Sequence, residues 1–219
     1  MVEHVYRRAE AAVLVDTVVV ATDDDRIASA VAAFGGRAQM TRPDHLTGTD
    51  RLAEVAATLA CEVVVNVQAD EPLIEPDMID AVVACLDDPA VVMSTLRCRL
   101  RDDADLQDPH VVKVAVDRNG QALFFSRAAI GLDQTTGGGA AAPSVYKHVG
   151  LYAYRRLFLM TLNQLDPTPL ERAERLEQLR VLEHGYRIMT TETKRDPIGV
   201  DTPRDLERVR RLVATGAPA

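Results

Sequence analysis

The stretch Val63-Val64-Val65-Asn66-Val67-Gln68-Ala69-Asp70-Glu71-Pro72 constrains this chain more than any other. A valine-rich run ends at Gln68 and is followed by an acidic pair and a proline. That pattern predicts a buried parallel strand that releases a carboxylate at its C-terminal tip. In open α/β sheets, ligands bind at the carboxyl ends of the strands. Asp70 therefore falls where a metal–nucleotide complex is expected.

A second carboxylate has a similar setting. Gly199-Val200-Asp201-Thr202-Pro203 ends one segment and opens the last helix. Thr202 can cap that helix, Pro203 fits its first turn, and Asp205 then falls at N3. Two separated aspartates at element ends suit Mg²⁺-dependent phosphoryl or nucleotidyl transfer, because Mg²⁺ takes one or two protein carboxylates plus phosphate oxygens and waters. The plainer reading makes each Asp a turn or cap residue.

Composition narrows the classes. With 219 residues, the chain suits one α/β domain spanning 1–219. A net charge of −8 argues against non-specific nucleic-acid binding. Cys61, Cys85 and Cys98 stand apart, with no C-x-x-C pair, so neither a zinc site nor a disulfide framework is expected. They suit a reducing, cytoplasmic compartment. No apolar run reaches membrane-spanning length, and the N-terminus shows no secretory pattern.

Through the first half, helical and strand patterns alternate. Helical spacing at Ile27, Val31 and Phe34, at Leu52, Val55, Ala56 and Leu59, and at Met78, Ile79, Val82, Val83 and Leu86 is interleaved with strand-like runs at 17–22, 37–41, 63–68 and 91–96. This rhythm predicts an α/β fold, a mostly parallel sheet with helices on both faces. Over residues 111–154 the rhythm changes. Asp117-Arg118-Asn119-Gly120 separates two strand-like runs and signals a hairpin. The glycine- and alanine-rich 132–144 predicts a flexible loop. Helices are expected over 156–165 and 171–184, a strand over 186–193, and a closing helix over 203–215. No G-x-G-x-x-G or G-x-x-x-x-G-K-[ST] motif is present.

Taken together, the motifs resemble the 3-deoxy-manno-octulosonate (Kdo) cytidylyltransferases, or CMP-Kdo synthetases. In chain order they are Val19-Val20-Ala21-Thr22-Asp23, Met40-Thr41-Arg42-Pro43-Asp44-His45, Thr47-Gly48-Thr49-Asp50-Arg51-Leu52-Ala53-Glu54 and Asn66-Val67-Gln68-Ala69-Asp70-Glu71-Pro72. Val112-Lys113-Val114, Phe125-Ser126-Arg127 and His148-Val149-Gly150-Leu151-Tyr152-Ala153-Tyr154 follow, then Leu176-Glu177-Gln178-Leu179-Arg180 and Gly199-Val200-Asp201-Thr202-Pro203. The resemblance covers essentially the whole chain. The family pattern also has an opening strand with Pro-Ala-Arg and Gly-Lys segments, which fall before the position matching Met1, and it usually has Gly where this chain has Ala69.

The resemblance implies a Rossmann-like nucleotidyltransferase fold with an inserted hairpin region, and the reaction CTP + Kdo → CMP-Kdo + pyrophosphate. It implies Mg²⁺ as cofactor, with Asp70 and Asp201 as metal and catalytic residues. Arg42, His45, Thr47, Gly48 and Thr49 then form the loop that meets the nucleotide; the plainer reading is a surface turn capping the next helix. Arg127 could pair bidentately with the sugar carboxylate. Gln68, His148, Tyr152, Glu177 and Gln178 match positions that contact the sugar. Each has a plainer alternative: a strand end for Gln68, a polar strand face for His148 and Tyr152, a solvated helix for Glu177 and Gln178, a surface ion pair for Arg127. The resemblance further implies a homodimer formed through the hairpin region. Two rivals stay open: a truncated, catalytically impaired nucleotide-binding protein, motivated by the missing phosphate loop, and a cytidylyltransferase for another acidic sugar.

Overall fold

The computed structural model describes residues 1–101, 103–130, 145–200 and 202–215. Helix α1 (Val2–Glu10) buries Val5, Tyr6 and Ala9 on one face. It is followed by β1 (Val20–Thr22), α2 (Asp25–Ala33) and β2 (Ala38–Met40), with β1 and β2 paired in parallel. Asp24 caps α2, its carboxylate accepting from the Arg26 N–H at 2.8 Å. Helix α3 (Gly48–Thr58) opens on a full capping box, in which Thr47 Oγ1 accepts from Asp50 N and Asp50 Oδ2 accepts from Thr47 N. Strand β3 (Val63–Asn66), α4 (Pro76–Ala84) and β4 (Met93–Cys98) come next.

A short helix α5 (Asp103–Gln107) leads to the hairpin β5 (Lys113–Val116) and β6 (Ala122–Ser126), and β7 (Val145–Arg155) follows. Gly120 takes the left-handed turn position at φ 82°. The chain ends with α6 (Arg156–Leu162), α7 (Pro169–Glu174), α8 (Gln178–Glu183), β8 (Met189–Glu192) and α9 (Pro203–Thr215). The cap expected on α9 is present: Thr202 Oγ1 accepts from Asp205 N at 3.2 Å, and Asp205 Oδ2 accepts from Thr202 N at 2.9 Å.

Strand β7 organises the larger sheet. One of its edges pairs antiparallel with β4. The other is shared by β3 at the Tyr152–Arg155 end and by β5 at the Val145–Lys147 end. Strand β8 joins β4 in parallel, and β6 lies outside β5. The expected common direction holds for β3, β4, β5 and β8, yet β4–β8 is the one parallel ladder among the described pairings of this sheet, because β7 runs back between β3 and β4. The turn of the hairpin touches β8, although the two lie at opposite ends of the strand order: Ala122 N donates to Ile188 O at 2.9 Å, and Thr190 Oγ1 to Gly120 O at 2.6 Å. The sheet therefore curls around the side chains on one of its faces.

Alternation along β7 separates two cores. Tyr152 and Tyr154 point to a cluster with Phe125, Phe158, Leu159, Leu176, Leu179 and Ile188, while Val149, Leu151 and Ala153 point to one with Ile74, Met78, Ile79, Val82 and Leu96. Helices cover both faces, as the alternating rhythm predicts.

Two expectations need correcting. Strand β3 is half-buried rather than buried, spans four residues, and pairs antiparallel with β7 rather than in the expected parallel ladder. Its valines face both cores, but only its β7 edge has a ladder partner among the described residues. The helix expected over 171–184 is two helices. Arg175 adopts a left-handed conformation (φ 55°, ψ 46°) that ends α7 and turns Leu176 into the core before α8 begins. Arg180 reaches back across the break to Glu171 at 2.6 Å. Helix α7 buries none of its residues, whereas Leu176 and α8 are buried, so the break lets a surface helix give way to one packed on the core.

Candidate active site

A cavity of about 140 Å³ opens where α3, β3, β7 and α8 converge. Gly48 and Thr49 reach it from the first turn of α3, Asn66 and Gln68 from the end of β3, Tyr152 and Tyr154 from β7, and Glu177 and Gln178 from the start of α8; Met93, Leu162 and Val181 close its apolar side. Residues expected to meet the nucleotide (Gly48 and Thr49) and residues expected to meet the sugar (Gln68, Tyr152, Glu177 and Gln178) thus line one space. The local reasons are simple. The capping box fixes the start of α3, the period of two puts Tyr152 and Tyr154 on the same face, and the left-handed Arg175 aims the next turn inward.

Burial disfavours charge on the ionisable groups of the cavity. Burial raises the Glu177 carboxyl above the ordinary carboxylate range, an effect opposed by Thr49 and Arg180. Burial likewise raises the phenols of Tyr152 and Tyr154. Glu177 Oε1 is buried with no hydrogen-bond partner among the described residues. A buried, unsatisfied oxygen on a cavity wall is a group that a bound hydroxyl can satisfy.

His148 lies behind Tyr152, their rings 5.4 Å apart, and meets Phe125 edge-on at 5.0 Å. Its pKa is pushed down to about 3 by burial. The neutral ring places Nε2 3.0 Å from Thr95 Oγ1, and that hydroxyl lies 2.8 Å from Leu151 O. His148 therefore braces the ring of Tyr152 and does not line the cavity. Arg127 also lies off the cavity wall, at the end of β6, where it is bonded to Glu174 on α7.

The loop before α3 is organised from the helix. Glu54, one turn inside α3, accepts from the Arg42 backbone N–H at 3.3 Å and bonds the buried His45 ring, which lowers the Glu54 pKa. The Arg42 side chain is exposed, 3.7 Å from Glu54 and 3.5 Å from Asp44. Thr47 spends its hydroxyl on the cap of α3, so the capping alternative holds for that residue.

Asp70 is exposed on the turn that follows β3, where Glu71 N donates to Gln68 O at 3.2 Å. Val200 N donates to Asp70 O at 2.8 Å, which pins the segment just before Asp201 against this turn. Asp201 itself lies outside the described residues, as does the whole of the loop expected over 132–144. Among the described residues, no group of three or more His, Cys, Asp or Glu could hold a metal ion. Two carboxylates suffice for Mg²⁺.

Sequence reasoning passed over Asn66 and Tyr154 as individual site residues. Both had a signal: Asn66 is the one polar residue within the valine run, and Tyr154 follows Tyr152 at the spacing of a shared strand face.

Comparison with known proteins identifies the family. The cytidylyltransferase family model matches residues 1–188. The chain is 55% identical over 219 residues to the 3-deoxy-manno-octulosonate cytidylyltransferase of Geobacter sulfurreducens (95% of this chain, 87% of that protein). It is 51% identical over 213 residues to the protein of the same name from Solibacter usitatus (97% and 83%). A solved structure of CMP:2-keto-3-deoxy-manno-octonic acid synthetase complexed with CTP superposes with a TM-score of 0.92 at 43% identity, covering 98% of this chain and 88% of that one. A match of this extent, in sequence and in backbone, makes the chain a member of the 3-deoxy-manno-octulosonate cytidylyltransferase family.

Proposed function

We propose that this chain transfers CMP from CTP to Kdo, releasing pyrophosphate and forming CMP-Kdo, the activated sugar used in lipopolysaccharide assembly. The observation that carries the reading is one cavity lined by two of the expected nucleotide residues, Gly48 and Thr49, and four of the expected sugar residues, Gln68, Tyr152, Glu177 and Gln178. The anomeric hydroxyl of the sugar attacks the α-phosphorus in line, and the bond to pyrophosphate breaks. Such transfers depend mainly on positioning and charge neutralisation.

The chain's own groups supply the positioning. The first turn of α3 directs free backbone N–H groups, at Gly48 and Thr49, toward an anionic substrate. Glu177 and the two tyrosines offer buried hydrogen-bonding groups to sugar hydroxyls, and Gln178 adds a buried amide. Gln68 sits at the mouth, next to the Asp70 turn. Asp70 and Asp201 would hold Mg²⁺. A bound Mg²⁺ would offset phosphate charge and acidify the attacking hydroxyl. Arg42 and His45 form the outer wall of the nucleotide loop, and Arg127 reads the sugar carboxylate from the rim. A homodimer through residues 111–154 and a cytoplasmic location complete the reading; the three unpaired cysteines support the latter. Among the described residues, no helix is long and apolar enough to cross a membrane.

The test is pyrophosphate release by the 219-residue chain with CTP, Kdo and Mg²⁺. Release that vanishes without Kdo, and that falls at least about a hundredfold in Asp70→Asn with the fold retained, is the expected result. No Kdo-dependent release from a folded chain refutes the proposed reaction, and full activity in Asp70→Asn refutes the metal assignment. Competition between Kdo and other acidic sugars fixes the acceptor.

A further inference from the structure

The largest fully buried side chain is a lysine. Lys113, on β5, has 0% exposure, and among the described residues no carboxylate lies within ion-pair distance of its ammonium, although Asp108 and Glu174 are near enough to favour its charge. Its Nζ instead donates to three backbone carbonyls: Asp108 O at 2.8 Å, Val111 O at 2.7 Å, and Arg127 O. Burying a charge in this way is costly, and an apolar side chain of the same length would fill the space. What the lysine adds is a fixed position for the three peptide groups it binds, and one of them belongs to Arg127.

The same arginine is gripped from the other side by α7. Glu174 accepts from Arg127 N through Oε2 at 2.9 Å and from Ser126 Oγ through Oε1 at 2.9 Å. Arg127 Nε donates to Glu174 O at 3.2 Å, and Nη1 donates to Pro109 O at 3.2 Å. These bonds employ the peptide N–H, the carbonyl, Nε and Nη1, and among the described residues leave Nη2 over. Glu174 is the last residue of α7, and the left-handed Arg175 beside it also turns Glu177 and Gln178 into the cavity. One short segment therefore both holds Arg127 and sets Glu177 and Gln178 on the cavity wall.

We propose that Lys113 and Glu174 are positioning residues: from β5 and α7 they lock Arg127 in the orientation that captures the carboxylate of the acidic sugar. This rests on the cytidylyltransferase reading above. A guanidinium held by its own backbone and by Nε pays little ordering entropy when it meets a carboxylate. The hairpin thereby acts on sugar capture at a distance from the cavity, and it leaves the nucleotide side untouched.

Steady-state kinetics of the full chain test this, with CTP and Kdo each varied, for wild type, Lys113→Met, Glu174→Gln, Arg127→Ala and the double variant Arg127→Ala/Glu174→Gln. The proposal predicts that Glu174→Gln raises the KM for Kdo about tenfold while kcat and the KM for CTP stay within about twofold. Lys113→Met does the same if it folds; if it does not, Glu174→Gln decides alone. In the Arg127→Ala background, Glu174→Gln adds no further loss. A folded Glu174→Gln with an unchanged KM for Kdo overturns the proposal, and so does a loss that adds in full to that of Arg127→Ala. A wild-type chain that does not turn over Kdo overturns the underlying reading, and with it this one.

Discussion

His148 shows how a residue can match a site motif and yet serve a site at one remove. Its ring is buried, neutral and bonded to Thr95, so it holds Tyr152 while remaining outside the cavity. The consequence for stability has a definite sign. The folded-state pKa is depressed to about 3 from an ordinary 6.5, so the unfolded chain binds the extra proton between those values. Stability from this group is complete above pH 6.5 and is lost as pH falls toward 3. At pH 5 the loss amounts to about 2 kcal/mol. Urea unfolding at pH 7.5 and pH 5 should show that loss in wild type and not in His148→Gln. Equal pH dependence in the two proteins contradicts a buried, neutral imidazole. The motif was legible in the sequence, as was the shared face of His148 and Tyr152. Burial was not, because it depends on Phe125 and Thr95 arriving from other strands.

Among the elements, the break between α7 and α8 does most to shape the cavity. The sequence predicts one helix over 171–184, but the apolar spacing of Leu176, Leu179 and Leu182 begins only after Arg175. No glycine or proline marks the stop, and an arginine takes the left-handed position. That conformation costs a residue with a Cβ about 1 kcal/mol. Arg175→Gly should therefore raise Tm by roughly 2–4 °C, measured by thermal unfolding, with the cavity unchanged. A lower Tm would show that the arginine side chain, and not the turn, stabilises the break. The caps were easier to read, because a cap is written within four residues: Thr47–Asp50 and Thr202–Asp205 both form as their sequences predict. The place of β7 was out of reach. A strand that runs back between β3 and β4 pairs residues about ninety positions apart along the chain in the case of Val63 and Arg155, and no local pattern records that.

In the whole molecule, the sheet brings distant motifs to one opening. The α/β class, the helices on both faces and the change of architecture near residue 111 follow from hydrophobic rhythm alone. The curl that brings the hairpin turn onto β8, and the clamp of β5 and α7 on Arg127, emerge only in three dimensions. The central claim is that one cavity, bounded by α3, β3, β7 and α8, is where nucleotide and sugar meet. A crystal structure of the chain with CTP and Kdo measures this most directly. The account predicts the nucleotide along the first turn of α3, a sugar hydroxyl on Glu177 Oε1, and the sugar carboxylate on the free edge of Arg127. Kdo bound elsewhere, with Tyr152, Glu177 and Gln178 untouched, would contradict it.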